Sequence, residues 1–149
     1  MITDKLPSTD VAVGALGDVL GFHIRLAHGT VYRHFTETFA RLELTQKQVS
    51  VLWLVDDEPG ISQVELGGRL QMDRATTMSI ANRLQGRGLL RRERSAVDGR
   101  KQALYLTAQG SAALVEAKQC IGAHEAWLKS RFEPGEIEKL VEMLSRIHE

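Results

Sequence analysis

The stretch ISQVELGGRLQMDRATTMSIANRLQGRGLLRRERSAVDGRKQALYLT, residues 61–107, decides the fold. Ser62 and Glu65 stand at the S-x-x-E spacing of a capping box, with Ile61 and Leu66 at its two staple positions, so a helix is predicted to begin at Ser62. Gln71 and Met72 make a short turn after Leu70, and Asp73 can cap a second helix by accepting from amides two or three residues on. In that second helix Thr77, Ile80, Ala81 and Leu84 recur at the i, i+3, i+4, i+7 spacing of a buried stripe. Arg74, Thr76, Met78, Ser79, Asn82 and Arg83 are left facing outward. Glycine tolerates the left-handed cap that other side chains resist, so this helix is expected to stop at Gly86 or Gly88.

Residues 89–94 then read as a strand, residues 95–102 as a turn favoured by Asp98-Gly99, and residues 103–107 as the return strand. Two short helices, a glycine stop and a basic hairpin, in that order, make a winged helix-turn-helix. That shape sets one helix in a DNA major groove and a hairpin tip beside it. Arginine can bridge guanine O6 and N7, asparagine can pair with adenine, and threonine or methionine can touch a thymine methyl. The tip spans residues 96–101, and Arg100 there can enter a narrow minor groove, where the potential is most negative.

The run DRATTMSIANRLQGRGLLRRERSAVDGRKQALYLTAQG resembles the recognition helix and wing of the MarR family of bacterial transcriptional regulators. The matching residues are Asp73, Arg74, Thr76, Arg83, Leu84, Gly88, Leu89, Arg92, Asp98, Arg100, Leu106, Thr107 and Gly110, with the D-x-R-x5-L-T pattern intact. The resemblance implies that Asp98 braces the wing and Arg100 contacts DNA. Gly67 stands where the family commonly has alanine, Thr77 where it has an aliphatic residue, and Asn82 where it has aspartate. The candidate DNA contacts are therefore Ser62, Arg74, Thr76, Met78, Ser79, Asn82, Arg83, Arg94, Asp98, Arg100 and Lys101.

The chain has 149 residues, enough to bury about 70% of its unfolded surface in one core without disulfides. Its formal net charge is zero, but residues 73–101 hold eight basic side chains against three acidic ones, so that stretch is net +5 and the remainder net −5. Such asymmetry is the electrostatic footprint of a nucleic-acid face, or simply a solvated wing. Cys120 is the only cysteine, which rules out an internal disulfide and makes a reducing cytoplasm the expected setting. No stretch approaches the roughly 20 apolar residues of a membrane span, and the first ten residues lack the apolar core of a signal peptide.

Outside the winged module, residues 1–42 read as an N-terminal arm and a first dimerisation and effector helix, residues 43–107 as the DNA-binding lobe, and residues 108–149 as C-terminal dimerisation helices. The arm ends in a Pro7-Ser8-Thr9-Asp10 cluster that can start a helix. Leu16, Leu20, Ile24, Ala27, Val31, Phe35, Thr38 and Leu42 then step through one long amphipathic helix, interrupted by Gly14, Gly17, Gly21 and Gly29, which suggest close backbone packing or a groove. Leu44, Thr45, Gln48 and Val49 repeat the staple and box, starting a helix that runs to the Glu58-Pro59-Gly60 break. Thr107 can cap a helix reaching Phe132, with Leu114, Ala117, Ile121, His124 and Leu128 on one face. Pro134 is expected at the first position of a last helix, with its stripe at Ile137, Leu140, Val141, Leu144 and Ile147. These apolar faces exceed what one small winged helix can cover, so a homodimer is expected. Its two-fold symmetry implies a pseudo-palindromic double-stranded operator with half-sites about 10 bp apart.

In the first helix Phe22, Arg25, His28, Tyr32, Arg33 and His34 crowd basic and aromatic groups together. One reading is an effector site for an anionic aromatic ligand, since guanidinium forks match carboxylate or phosphate and rings stack on rings. The other is polar contact within the dimer interface. Trp53 is either a core side chain or a further ligand contact. Many regulators of the resembling family bind aromatic acids in a crevice between the dimer helices and the DNA lobe, and one branch responds to hydroxycinnamoyl-CoA thioesters. The resemblance thus implies an effector such as p-coumaroyl-CoA, with a free aromatic acid, or no effector and a protein-binding winged helix, as alternatives. Redox-sensing members use a cysteine near the first helix, and this chain has none there. Cys120 and His124 lie one turn apart as a buried pair or as two ligands of an incomplete metal set, so no metal and no cofactor is expected. No nucleophile with a base and orienter, and no glycine-rich phosphate loop, points to an enzyme.

Overall fold

Capping side chains and glycine breaks set the element boundaries in the computed structural model, which describes residues 13–149. After a 3-10 turn at Gly14–Asp18 come α1 (Leu20–Phe39), a second 3-10 turn (Ala40–Leu42), α2 (Gln46–Asp57), α3 (Gln63–Arg69) and α4 (Arg74–Gly86). The hairpin strands β1 (Leu90–Arg94) and β2 (Gln102–Leu106) follow, then α5 (Ala108–Lys129) and α6 (Glu136–His148). The cluster at Pro7 to Asp10 lies outside the described residues. The chain divides into two compact units between Glu37 and Thr38, within α1.

The first unit corrects the expectation of one continuous helix from Leu16. The chain is extended at Val19 (φ −89°, ψ 113°), which separates the 3-10 turn from α1. Gly14 (φ +59°) and Gly17 carry no Cβ to enforce helical dihedrals, so a tighter turn forms there instead. The expected stripe is not a core stripe in the single chain: Leu16, Leu20 and Ile24 are exposed, Leu20 to 72%, while Phe35 is buried. Among the described residues, nothing lies within 4 Å of a Cβ added at Gly21, so the close packing expected there is not made within the chain.

In the second unit local signals work in turn. Thr45 and Gln48 form the complete reciprocal box, with the Gln48 amide donating to Thr45 Oγ1 at 3.2 Å and the Thr45 amide to Gln48 Oε1 at 3.0 Å. At Ser62 only half the box forms. Its hydroxyl accepts from the Glu65 amide at 3.1 Å, whereas the Glu65 carboxylate accepts from Arg69 Nη2 at 2.9 Å, because a guanidinium one turn on offers a charge-assisted bond. Asp73 caps α4 through the Thr76 amide at 2.7 Å. At its far end the Leu89 amide bonds Leu84 O and the Gly88 amide bonds Gln85 O, with Gly88 at φ +75°, which is a Schellman cap. Leu84 and Leu89 are both buried beneath it.

The hairpin is antiparallel, pairing Leu90 with Leu106 and Arg94 with Gln102. Bonds from the Gly60 amide to Leu104 O (2.8 Å) and from the Leu104 amide to Ile61 O (3.0 Å) tie the start of α3 to β2. Leu52, Val51, Val55, Leu66, Leu84, Leu90 and Leu104 are almost fully buried, so α2, α3, α4 and both strands share one core. Each such side chain is worth roughly 1.5–3 kcal/mol of burial. Thr107 caps α5 by accepting from the Gly110 amide (2.9 Å) and donates its own hydroxyl to Gly88 O (2.6 Å). A Cβ on Gly110 would fall 1.9 Å from Leu89 O, which explains a glycine here.

α5 packs on α2 and ends at Lys129, before Phe132. Pro134 precedes the N-cap Gly135 (φ +86°) rather than occupying the first helical position, so the left-handed glycine, not the proline, sets the start of α6. No residue of α6 is buried, and Val141, Leu144 and Ile147 are exposed. Among the described residues no helix is long and apolar enough to cross a membrane.

Candidate nucleic-acid interface

The buried side of α4 is Thr77, Ala81 and Leu84, with Ile80 half-buried, and this fixes which side chains face away from the core. Arg74, Met78, Ser79, Asn82 and Arg83 are exposed and Thr76 is half-buried. Ser62 is half-buried and its hydroxyl is committed to the cap of α3. Arg74, Arg83, Arg94 and Lys101 are exposed and their side chains make no hydrogen bond or ion pair among the described residues, so their charges face solvent. The remaining cations of the stretch are engaged. Arg87 donates to Glu43 O at 2.7 Å, and Arg91 pairs with Glu93 while its guanidinium lies 4.5 Å from the centre of the Tyr105 ring.

The hairpin tip is ordered from within. Ser95 Oγ accepts from the amides of Val97 and Asp98, and the Lys101 amide closes a turn on Asp98 O at 2.9 Å. Asp98 Oδ1 accepts from the Arg100 amide at 3.0 Å and from Arg100 Nε at 3.3 Å, while the Arg100 side chain is 91% exposed. These bonds, the backbone one foremost, hold the Asp98 carboxyl below the ordinary aspartate range. The Asp73 carboxyl is likewise lowered, chiefly by the Thr76 amide it caps. An arginine is thus held out at a protruding tip by its own neighbour, beside a helix with a polar and basic outer face.

Two side chains that sequence reasoning left out complete this face. Gln63 and Gln85 join Asn82 in bonding the guanidinium of Arg92, which had been noted only as a matching residue. The spacing of Asn82 and Gln85, three apart on one helix, was the available signal. The Oδ1 of Asn82, an expected base contact, accepts from Arg92 Nη2.

The other candidate set lies on α1, in the first unit. Arg25 sits 5.3 Å from the centre of the Phe22 ring, His28 stacks with Tyr32 at 6.2 Å, and Arg33 Nη2 donates to Thr30 Oγ1 at 3.2 Å. Arg25, His28, Tyr32 and Arg33 are exposed, and Phe22 and His34 half-buried. Trp53 belongs to the second unit, on α2, where it is half-buried with Lys118 Nζ 4.7 Å from its ring centre. Cys120 and His124 are both buried, and Arg41 Nη2 lies 3.7 Å from Cys120 Sγ. Among the described residues no group of three or more His, Cys, Asp or Glu could hold a metal ion.

A short capped helix, a glycine-stopped helix with a basic outer face and a braced hairpin define a winged helix-turn-helix protein. The MarR family is matched over residues 42–101. Along most of its length the chain is similar to a repressor, CouR, solved on a 23-mer DNA duplex, at 34% identity and TM-score 0.86, covering 91% of this chain and 96% of that one. It is also similar to CouR bound to p-coumaroyl-CoA, at 34% identity and TM-score 0.82, covering 91% of this chain and 95% of that one. A transcriptional regulatory protein for the hcr operon of Thauera aromatica is 28% identical over 91% of this chain and 82% of its own length. The chain belongs to the MarR family and is a DNA-binding transcriptional regulator, not an enzyme.

Proposed function

We propose that the protein is a repressor that binds a pseudo-palindromic operator as a homodimer and is released by an anionic aromatic effector, p-coumaroyl-CoA or a close hydroxycinnamoyl-CoA. The observation that carries the DNA half is the braced tip, where Asp98 holds an almost fully exposed Arg100 beside the outer face of α4. In this reading Arg74, Met78, Ser79, Asn82 and Arg83 meet base edges and phosphates in the major groove, with Ser62 and Thr76 at its margin, and Arg94, Arg100 and Lys101 follow the minor groove and backbone.

The effector half is supported by Phe22, Arg25, His28, Tyr32, Arg33 and His34 on α1. Guanidinium and imidazole groups suit the phosphates of a CoA tail, and rings suit a cinnamoyl group. The CouR structure with p-coumaroyl-CoA is a relative in which such a thioester binds. Repression is occlusion of a promoter, and release is a change in the separation of the two reading helices. The ligand can drive that change only by its differential affinity for the two states, typically 1–3 kcal/mol of coupling.

The test is a fluorescence-anisotropy titration of the protein on DNA from upstream of its own gene, with p-coumaroyl-CoA or free p-coumarate added. Release by the thioester alone is the expected result. Release only by the acid, or by neither, removes the CoA reading, and absence of salt-sensitive DNA binding removes the repressor reading as well.

A further inference from the structure

Arg92 rises from β1 beside α4 and is half-buried. Its Nε donates to Gln85 Oε1 at 2.9 Å, its Nη1 to Gln63 Oε1 at 3.0 Å, and its Nη2 to Asn82 Oδ1. Three primary amides from α3 and α4 therefore converge on one cation, and none of these partners is a carboxylate. A guanidinium has five N–H donors and no acceptor, so an amide meeting it must turn its oxygen inward. That requirement settles the otherwise ambiguous choice between amide oxygen and nitrogen for all three side chains. Each amide nitrogen is then the atom turned away from Arg92. Each amide oxygen has one of its two lone pairs turned to Arg92, while both amide hydrogens stay available next to a positive charge.

We infer that Arg92 is a positioning residue that sets base specificity by holding the Asn82 amide oxygen toward itself, so that Asn82 presents its amide nitrogen to the base. Asn82 then favours an edge whose facing atoms all accept, guanine N7 and O6 or thymine O4, over adenine, whose N7 accepts but whose N6 amino group does not. The inference rests on the placement of α4 in the major groove proposed above. Asparagine reads adenine through two parallel bonds, its nitrogen donating to N7 and its oxygen accepting from N6. Both amide atoms must lie along the base edge for this, and an oxygen turned to Arg92 is not so aligned. Gln63 and Gln85, presenting donors in the same way, suit phosphate oxygens, which only accept.

The test is selection of bound sequences from a randomised duplex library by the full-length protein and by Asn82→Ala, Arg92→Met and Arg92→Lys. The base position governed by Asn82 is the one whose preference Asn82→Ala abolishes. In the parent that position should enrich guanine or thymine. Arg92→Met keeps the aliphatic stem and frees Oδ1, so the same position should shift toward adenine by about tenfold in relative enrichment. Should Arg92→Met not fold, Arg92→Lys gives the same readout, since one ammonium cannot hold three amides in fork geometry. Adenine already preferred by the parent, no position that responds to Asn82→Ala, or an unchanged preference in a folded Arg92 variant overturns the inference while leaving DNA binding intact. A parent that enriches no sequence and binds without salt dependence overturns the placement of α4 as well.

Discussion

At the scale of single residues, two departures from the family pattern prove to be one. A Cβ on Gly67 would lie 2.6 Å from Thr77 Oγ1, and that hydroxyl donates to Asp73 O at 2.8 Å. The missing methyl on α3 makes room for the hydroxyl on α4, and Thr77 donates its proton within its own helix, so among the described residues no buried side-chain polar atom is left unpaired. Gly67→Ala should therefore destabilise by about 1–3 kcal/mol through overpacking. In a Thr77→Ala background the same change should cost distinctly less, because the clashing atom is gone. Equal costs in the two backgrounds, measured by urea unfolding, would show that the two positions are not coupled. Sequence reading saw both substitutions but could not link them, since residues 67 and 77 meet only once the helix-turn-helix is folded.

At the scale of elements, the wing tip depends on one carboxylate. The folded-state Asp98 carboxyl is lowered below 3.8, so its stabilising bonds are fully present above the unfolded value and are lost as pH falls through the lowered one. The tip should accordingly keep its geometry from pH 8 down to about pH 4. A carbon-detected titration of the Asp98 side chain should give a midpoint below 3.8, with the Arg100 amide shifting in the same step. A midpoint at or above 3.8, or an Arg100 amide that ignores it, would remove the brace. The helices were legible where a capping side chain or glycine acts within a few residues, as at Thr45, Ser62, Asp73, Gly88 and Thr107. They were misread where competing local signals coexist, as at Val19, where glycines favour a tight turn over continuation, and at Pro134, where Gly135 takes the cap.

For the whole molecule, the exposed apolar surface is the main unfinished business of a single chain. Val141, Leu144 and Ile147 on α6 are exposed, and in the first unit Leu16, Val19 and Leu20, before and at the start of α1, are exposed as well. Patches of this kind on a helical protein mark association surfaces. In the proposed homodimer α6 supplies part of the interface, so Val141→Glu should shift sedimentation velocity toward the monomer and weaken operator binding, since one monomer reaches only one half-site. A variant that sediments as the parent dimer would place the interface elsewhere.

The winged fold was decided by sequence alone, because its signals are local: caps, a buried stripe of period 3.6, a glycine stop and an Asp-Gly turn each act over a turn or two of chain. The outward set on α4 followed from the same periodicity, and the tip arginine from the turn. What only the tertiary structure decided is how those outward groups are used. Arg92 reaches across from the wing to take the oxygens of Gln63, Asn82 and Gln85, and Arg87 is drawn off to backbone carbonyls of the loop before α2. These contacts join residues 7 to 45 positions apart in the chain, and hydrogen-bond polarity at a reading face is a property of tertiary packing rather than of any one segment.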